Sequence, residues 1–379
     1  MLYERKGFGL YVHWPFCQAK CPYCDFNSHV VAEVQQDLWR DALVSEVDRY
    51  ANEVDSLVLD SIFFGGGTPS LMPAETVGAI IEAARKHWPA SNEIEITLEA
   101  NPTSVEAGRF QAYRDAGVNR VSMGIQALND ADLKRLGRLH SVSEAEKAFD
   151  LARKTFPRVS FDLIYARQDQ SLGEWRSELS QALSMAADHL SLYQLTIEDG
   201  TAFGERHARG WLRGLPNEDL AADMYELTQE LTDAAGLLAY EVSNHAVPGA
   251  ESKHNLIYWK AGDWIGVGPG AHGRLTMGVN RVATETYLSP TEWLDAVMKF
   301  GNGENHRHTQ SKKEALEEAL MMGLRLSEGV PFDLVKLLNI NNKIELLCRD
   351  GLVEKVKNAL RPTPRGRPLL NAILRELIA

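Results

Sequence analysis

Cysteine is scarce in this chain, with four in 379 residues, and three of the four fall between positions 17 and 24. That count excludes a disulfide framework, and thiols so closely grouped need a reducing compartment to stay available as ligands, so a cytoplasmic protein is expected. Long apolar runs are missing too. No stretch approaches the roughly 20 residues that span a bilayer, and the charged segment 1–9 is not followed by an apolar core of signal-peptide length. No integral membrane segment is expected. Positive charge is in deficit: 40 Lys and Arg against 52 Asp and Glu leave a formal charge of -12. This opposes a nucleic-acid footprint over the main body. There is no low-complexity segment and no repeat beyond an alternation of strand and helix.

Hydrophobic residues make up 44% of the chain, ample for one large α/β domain of roughly 250 residues and a smaller one. Apolar, β-rich runs recur at 10–14, 61–64, 94–98, 120–125, 159–164 and 190–197. Helical spacing fills the intervals at 37–50, 74–87, 105–116, 143–154 and 173–186. Asp115-Ala116-Gly117-Val118 ends one such helix, because glycine tolerates the left-handed conformation there. Six βα units imply parallel strands joined by right-handed crossovers. The fold class expected is α/β, a partial (β/α)6 TIM-like barrel, because the chemistry-bearing segments fall at the C-terminal ends of the strands. The rhythm breaks near residue 200. Residues 1–235 are expected to form the barrel, 236–305 a β-rich extension ending in a linker at Gly301 to Asn305, and 306–379 a small, mainly helical domain with helices at 312–325, 331–338, 343–350 and 369–378.

Cys17-x3-Cys21-x2-Cys24 follows the first strand. Three neighbouring thiolates can ligate three irons of a cubane and leave the fourth open, whereas a closed electron-transfer cluster or structural zinc would need a fourth ligand. A zinc site completed by His13, His29 or the remote Cys348 is the alternative. Gly65-Gly66-Gly67-Thr68-Pro69 follows the second strand, where residues without a Cβ admit close approach of a ligand or simply mark a turn. Glu99 ends the third strand, as a barrel-mouth carboxylate or a helix-capping acid. Gln126 ends the fourth, and Arg138 lies in the helical segment beyond it. Asp162 sits inside the fifth, where a carboxylate needs a partner: a bound group, or a structural pair with Arg138 or Arg120.

The cysteine order, with Tyr23 before the third, resembles the radical S-adenosylmethionine (SAM) superfamily. The segments Tyr11 to Cys17, Gly65 to Pro69, Glu99 to Pro102, Gly124 to Gln126, Arg138 to His140 and Asp162 to Ile164 resemble one branch of it. That branch contains oxygen-independent coproporphyrinogen III dehydrogenase and the heme chaperones, and the likeness runs from about Gly9 to Leu377. The resemblance implies a radical SAM barrel in which Cys17, Cys21 and Cys24 hold a 4Fe-4S cluster and SAM sits on the open iron. Tyr11, Gly66, Gly67, Thr68 and Glu99 would then hold that SAM, with Tyr23 beside the cluster. Gln126, Arg138 and Asp162 would face a second SAM, heme or nothing.

Two features separate the siblings. The dehydrogenase typically carries a fourth cysteine, where this chain has Phe26, and a longer amino-terminal arm. His254-Asn255-Leu256-Ile257-Tyr258-Trp259 matches a motif associated with the heme chaperones. A neutral imidazole suits heme iron, and the two aromatic rings could cover a porphyrin face; alternatively His254 caps backbone while the aromatics pack under Trp264. His245 and His272 flank it as other candidate ligands. The resemblance thus implies a carrier that binds heme and passes it to an acceptor protein such as a membrane-bound respiratory subunit, with decarboxylation of coproporphyrinogen as the alternative. One departure stands out. After the fifth strand such chains commonly read Gly-Leu-Pro, and this one reads Ala166-Arg167-Gln168, adding a cation that pairs with a SAM carboxylate or heme propionate, or is merely solvated. Cys348 is expected to be a buried, inert thiol. The basic run 353–367 is expected to be a solvated face or a guide toward an acidic partner.

Overall fold

In a computed structural model of the protein, which describes residues 6–54, 56–103 and 107–378, six parallel strands form the centre: β1 (Phe8–Trp14), β2 (Leu59–Gly66), β3 (Ala90–Ala100), β4 (Arg120–Gln126), β5 (Arg158–Tyr165) and β6 (His189–Gln194). Between them run α1 (Gln36–Ala51), α2 (Ala74–His87), α3 (Phe110–Asp115), α4 (Asp130–Arg135), α5 (Val142–Thr155) and α6 (Leu172–Met185). The start of the helix expected at 105–116 lies outside the described residues. Period-two alternation splits each strand between two environments. Along β1, Leu10, Val12 and Trp14 are buried in the hydrophobic core, where Trp14 meets Trp39 of α1 edge-on, while Tyr11 and His13 face the barrel interior. Capping boxes at Ser141/Glu144 and Ser171/Glu174 start α5 and α6, satisfying donors that a helix cannot pair internally.

Beyond β6 come α7 (Ala202–Ala208), α8 (Glu218–Ala234), β7 (Leu238–Ala239), β8 (Asn244–Ala246), α9 (Lys253–Trp259), β9 (Asp263–Val267), β10 (His272–Met277), β11 (Asn280–Thr286), α10 (Pro290–Phe300) and β12 (Glu304–Gln310). These strands prolong the central sheet at both edges, in the order β12-β11-β10-β9-β1-β2-β3-β4-β5-β6-β8-β7. β9 lies parallel to β1, so the barrel has a seventh parallel strand beside the cysteine loop. The Gly301 to Asn305 linker is a correction. Gly301 is the left-handed C-cap of α10, and the chain then enters edge strand β12, paired to β11.

The C-terminal part has its own hydrophobic cluster, including Leu320, Val335, Ile344, Leu360 and Ile373. It is built from α11 (Lys312–Gly323), β13 (Val330–Pro331), α12 (Phe332–Leu338), α13 (Asn341–Arg349), β14 (Val353–Val356), β15 (Ala359–Pro362) and α14 (Leu370–Ile378). The basic run forms the β14–β15 hairpin and the turn beyond it, and several of its cations are engaged locally. Lys355 pairs with Glu345, Arg361 with Glu354, and Arg367 donates to Ser327 Oγ at 2.7 Å. Among the described residues no helix is long and apolar enough to cross a membrane.

Candidate functional site

The register of β1 against β2 sets His13 beside Gly65 and Trp14 beside Gly66, so the two loops leave the sheet side by side. They are joined by backbone bonds from Gly67 N to Trp14 O (2.7 Å) and Thr68 N to Phe16 O (2.9 Å). Gly66 has φ +110°, and a Cβ there would meet the His13 ring at 2.7 Å; a Cβ on Gly67 would meet Phe16 O at 2.8 Å. The glycines are therefore fixed by close approach of the cysteine loop, which a plain turn would not require.

The cysteine loop is pinched at its base, where Cys17 N donates to His29 O (2.9 Å) and His29 N to Pro15 O (2.7 Å). His13 Nε2 lies 2.9 Å from Asn27 O, and since a carbonyl only accepts, Nε2 carries the proton. Nδ1 then accepts from Tyr11 Oη at 3.0 Å. Asn27 Nδ2 donates to Pro269 O and Leu288 O, each at 2.9 Å, tying the loop to the β9–β11 extension. His13 and His29, the zinc alternatives, are committed here: His29 Nε2 lies 3.0 Å from Asn27 Oδ1. Cys348 packs against the C-terminal core but is only partly buried, a correction to the buried thiol expected, because it sits at the rim of that cluster.

Cys17, Cys21 and Cys24 line one cavity of about 410 Å³, together with Tyr23, Gly66, Gly67, Thr68, Glu99, Gln126, Arg138 and Asp162. Residues from five strand ends and the loops beyond them thus converge where barrel sites form. Each thiol has a polar neighbour: Thr68 Oγ1 donates to Cys17 Sγ (3.4 Å), Arg138 Nη1 to Cys21 Sγ (3.5 Å), and Ser28 Oγ lies 3.8 Å from Cys24 Sγ. Burial pushes the Cys17 and Cys24 thiols up from their ordinary range, so without a metal they stay protonated at neutral pH. Among the described residues no three His, Cys, Asp or Glu side chains converge on a single metal ion. Three thiolates lining one cavity are a donor set that suits the corners of an iron-sulfur cluster.

On the cavity wall, Glu99 ends β3 and its carboxylate accepts from Gly66 N–H; burial, and then the Asp162 charge, push it up to about 8. Asp162 is pushed up to about 6 by burial, opposed by hydrogen bonds from Ser191 and Ser122. The structural arginine pairs are a correction: Arg120 bonds Glu95 at 2.9 Å, and Arg138 bonds Asn101 Oδ1 and Gly124 O. Asp162 instead takes Ser122 Oγ at 3.4 Å. Gln126 sits after an irregularity in β4 pairing with φ +74°, and its buried Oε1 has no partner. Strain and an orphaned acceptor at one residue mark a place where a ligand completes the structure. Tyr23 packs on Phe203 of α7. Asn101, Ser28, Ser122 and Tyr193 were not singled out from the sequence, where only Asn101, inside Glu99-Ala100-Asn101-Pro102, carried a signal.

Both carboxyl groups hold protons more tightly folded than unfolded, so their contribution to stability is greatest below about pH 4 and is lost as pH rises, through about 6 for Asp162 and about 8 for Glu99. Glu99→Gln, uncharged throughout, is expected to flatten that loss. In melts of the metal-free protein from about pH 5 to about pH 8.5, the variant's Tm should gain on the wild type's as pH rises. A constant gap would mean that Glu99 is already ionised at the acid end.

Two expected site residues lie elsewhere. Tyr11 stacks on Phe63 and donates to His13. His254 is buried on α9, with Nδ1 2.7 Å from Ser61 Oγ and Nε2 2.8 Å from Tyr258 Oη, its ring stacked on Phe63. Burial pushes it down to about 3, so the ring is neutral. Both nitrogens are engaged, and ligation of heme iron would require one bond to break. Ser61 pairs with Gly9, five residues before Trp14 and roughly 16 Å down the strand at 3.3 Å per residue. His254 therefore lies under the barrel, away from the cysteine loop. Tyr258 does pack on Trp264. His245 is buried, whereas His272 is exposed beside Glu285.

The chain matches the Radical SAM superfamily over residues 11–177 and the HemN C-terminal domain over 310–369. It is 39% identical to the heme chaperone HemW of Escherichia coli, over 92% of this chain and 87% of that one. It belongs to the HemW family of radical SAM proteins. It is also 40% identical to the mouse mitochondrial radical S-adenosyl methionine domain-containing protein 1, over 97% of this chain and 87% of that one. The solved coproporphyrinogen III oxidase HemN of Escherichia coli superposes with a TM-score of 0.82, covering 100% of this chain and 91% of that one at 20% identity, which is a likeness of fold.

The place of Arg167 corrects both expectations for it. It is neither solvated nor in the cavity lining. It is buried, with Nη2 2.6 Å from Glu178 and 2.9 Å from Asp132, and it donates to Ile164 O. Glu178 also accepts from Leu128 N at 2.7 Å, so this cluster ties the loop after β5 to the loop after β4.

Proposed function

We propose that the protein is a heme chaperone that binds heme and passes it to an acceptor protein, with a 4Fe-4S cluster held by Cys17, Cys21 and Cys24 and an exchangeable SAM at the open iron. When bound, that pair supplies one-electron reductive chemistry. The chain's own residues set the surroundings: Glu99 and Asp162 favour a cationic group, the Gly66-Gly67-Thr68 backbone lies close to the cysteines, and Gln126 offers a free acceptor. The observation that carries the chaperone reading is likeness along nearly the whole chain to proteins named HemW, against 20% identity to the oxidase. At the cavity mouth Phe26 and Leu139 are 58% and 62% exposed, offering apolar surface to a porphyrin edge. The acceptor is a heme-binding apoprotein, a membrane-bound respiratory subunit being one candidate. The unpaired thiols suit the cytoplasm or another reducing compartment.

The test is anaerobic. With the cluster reconstituted, hemin titration should give a saturable absorption change, and coproporphyrinogen with SAM and reductant should give no decarboxylated product. Product formed over many turnovers would replace this reading with that of a dehydrogenase.

A further inference from the structure

Arg138 is a buried cation without a carboxylate in contact: among the described residues it forms no ion pair with Asp or Glu. Its Nη2 donates to Asn101 Oδ1 (2.6 Å) and Gly124 O (2.7 Å), and its Nη1 to Cys21 Sγ (3.5 Å). A guanidinium held in low dielectric by neutral acceptors is costly unless a negative charge stands nearby. Among the described residues the anion-forming groups in hydrogen-bonding contact with it are Cys21 and Tyr23, and the buried Asp162 carboxyl, which makes no direct bond to it, lies within reach of its charge.

The hydrogen bonds run onward in one direction. Asn101, accepting from Arg138 through Oδ1, donates through Nδ2 to Thr68 Oγ1 at 3.3 Å, and Thr68 donates to Cys17 Sγ at 3.4 Å. Arg138 thus reaches one cysteine directly and a second through two polarised amide and hydroxyl links. Planarity suits this: the guanidinium fork serves the sulfur and Asn101 from separate nitrogens.

We infer that Arg138 is a positioning residue whose fixed charge, delivered to Cys21 directly and to Cys17 through Asn101 and Thr68, raises the reduction potential of the cluster these cysteines hold. This rests on reading the three cysteines as cluster ligands. Reduction adds one electron from a low-potential donor and one unit of negative charge, with no bond made or broken. A cation beside the sulfurs therefore favours the reduced form, and hydrogen bonds to cluster sulfurs act in the same sense.

The experiment is an EPR-monitored titration with dithionite and mediators on anaerobically reconstituted full-length protein without SAM, so that any part Arg138 plays in holding SAM is silent. Arg138→Gln should shift the midpoint to a more negative potential. Arg138→Lys, which keeps the charge, should stay close to wild type. Asn101→Asp, which places a countercharge on the same guanidinium, should shift the midpoint in the direction of Arg138→Gln, and it decides the matter if Arg138→Gln sheds its cluster. An unmoved midpoint in Asn101→Asp and Arg138→Gln, or a shift in Arg138→Lys as large as in Arg138→Gln, overturns the inference. Wild-type protein that takes up no iron and sulfide would instead remove the cluster reading beneath it.

Discussion

Cys21→Ala is expected to strip the protein of nearly all its iron and acid-labile sulfide while leaving the fold intact. The three thiols sit on one loop at the cavity edge and are only partly buried, so none of them supports the hydrophobic core. The other donors weighed from the sequence are engaged elsewhere. His13 is held between Tyr11 and Asn27, His29 bonds Asn27, and Cys348 belongs to the C-terminal core. A cubane gripped at three corners loses a third of its protein ligands with one substitution. Iron and sulfide content per chain after anaerobic reconstitution gives the answer, with circular dichroism as the check on folding. Cys17→Ala and Cys24→Ala should behave alike, and Cys348→Ala should retain the metal. Full iron loading in Cys21→Ala would show that the ligand set has been misassigned.

The second large effect is on stability. Arg167→Leu removes the cation from a buried cluster and leaves Glu178 and Asp132 facing each other across the gap. Breaking a buried pair by deleting one partner costs about 3–5 kcal/mol, so the melting temperature of a chain of this length should fall by about 5 °C. Glu178→Leu should be comparably damaging, because it also strips the partners of Leu128 N and Gln170 Nε2. The double variant should lose clearly less than the sum, since each single change already strands the other's charge. Additive losses in thermal and denaturant melts would mean that the two residues act independently.

The six barrel strands and most of their helices were legible because amphipathic periodicity repeats at each βα unit; α2, expected at 74–87, is found at Ala74–His87. Edge strand β12 was not legible. Its residues, Glu-Asn-His-Arg-His-Thr-Gln, are mostly exposed, so there is no buried face to write an alternating pattern, and backbone pairing to β11 holds it. Helix α9 was hidden for a related reason. One helical turn joins His254 to Tyr258, and the two residues bury each other's polar atoms in a segment surrounded by glycine and aromatic residues.

The cysteine spacing, the glycine run and the acids at strand ends were determined by sequence alone, because ligand count and strand register are local properties of the chain. Tertiary structure decided the partners. Only folding could place Arg138 on Cys21, remove His254 from the cavity, and turn Arg167 from a free cation into a buried clamp. Burial and the direction of a hydrogen bond depend on what other elements bring alongside, and linear order does not encode that.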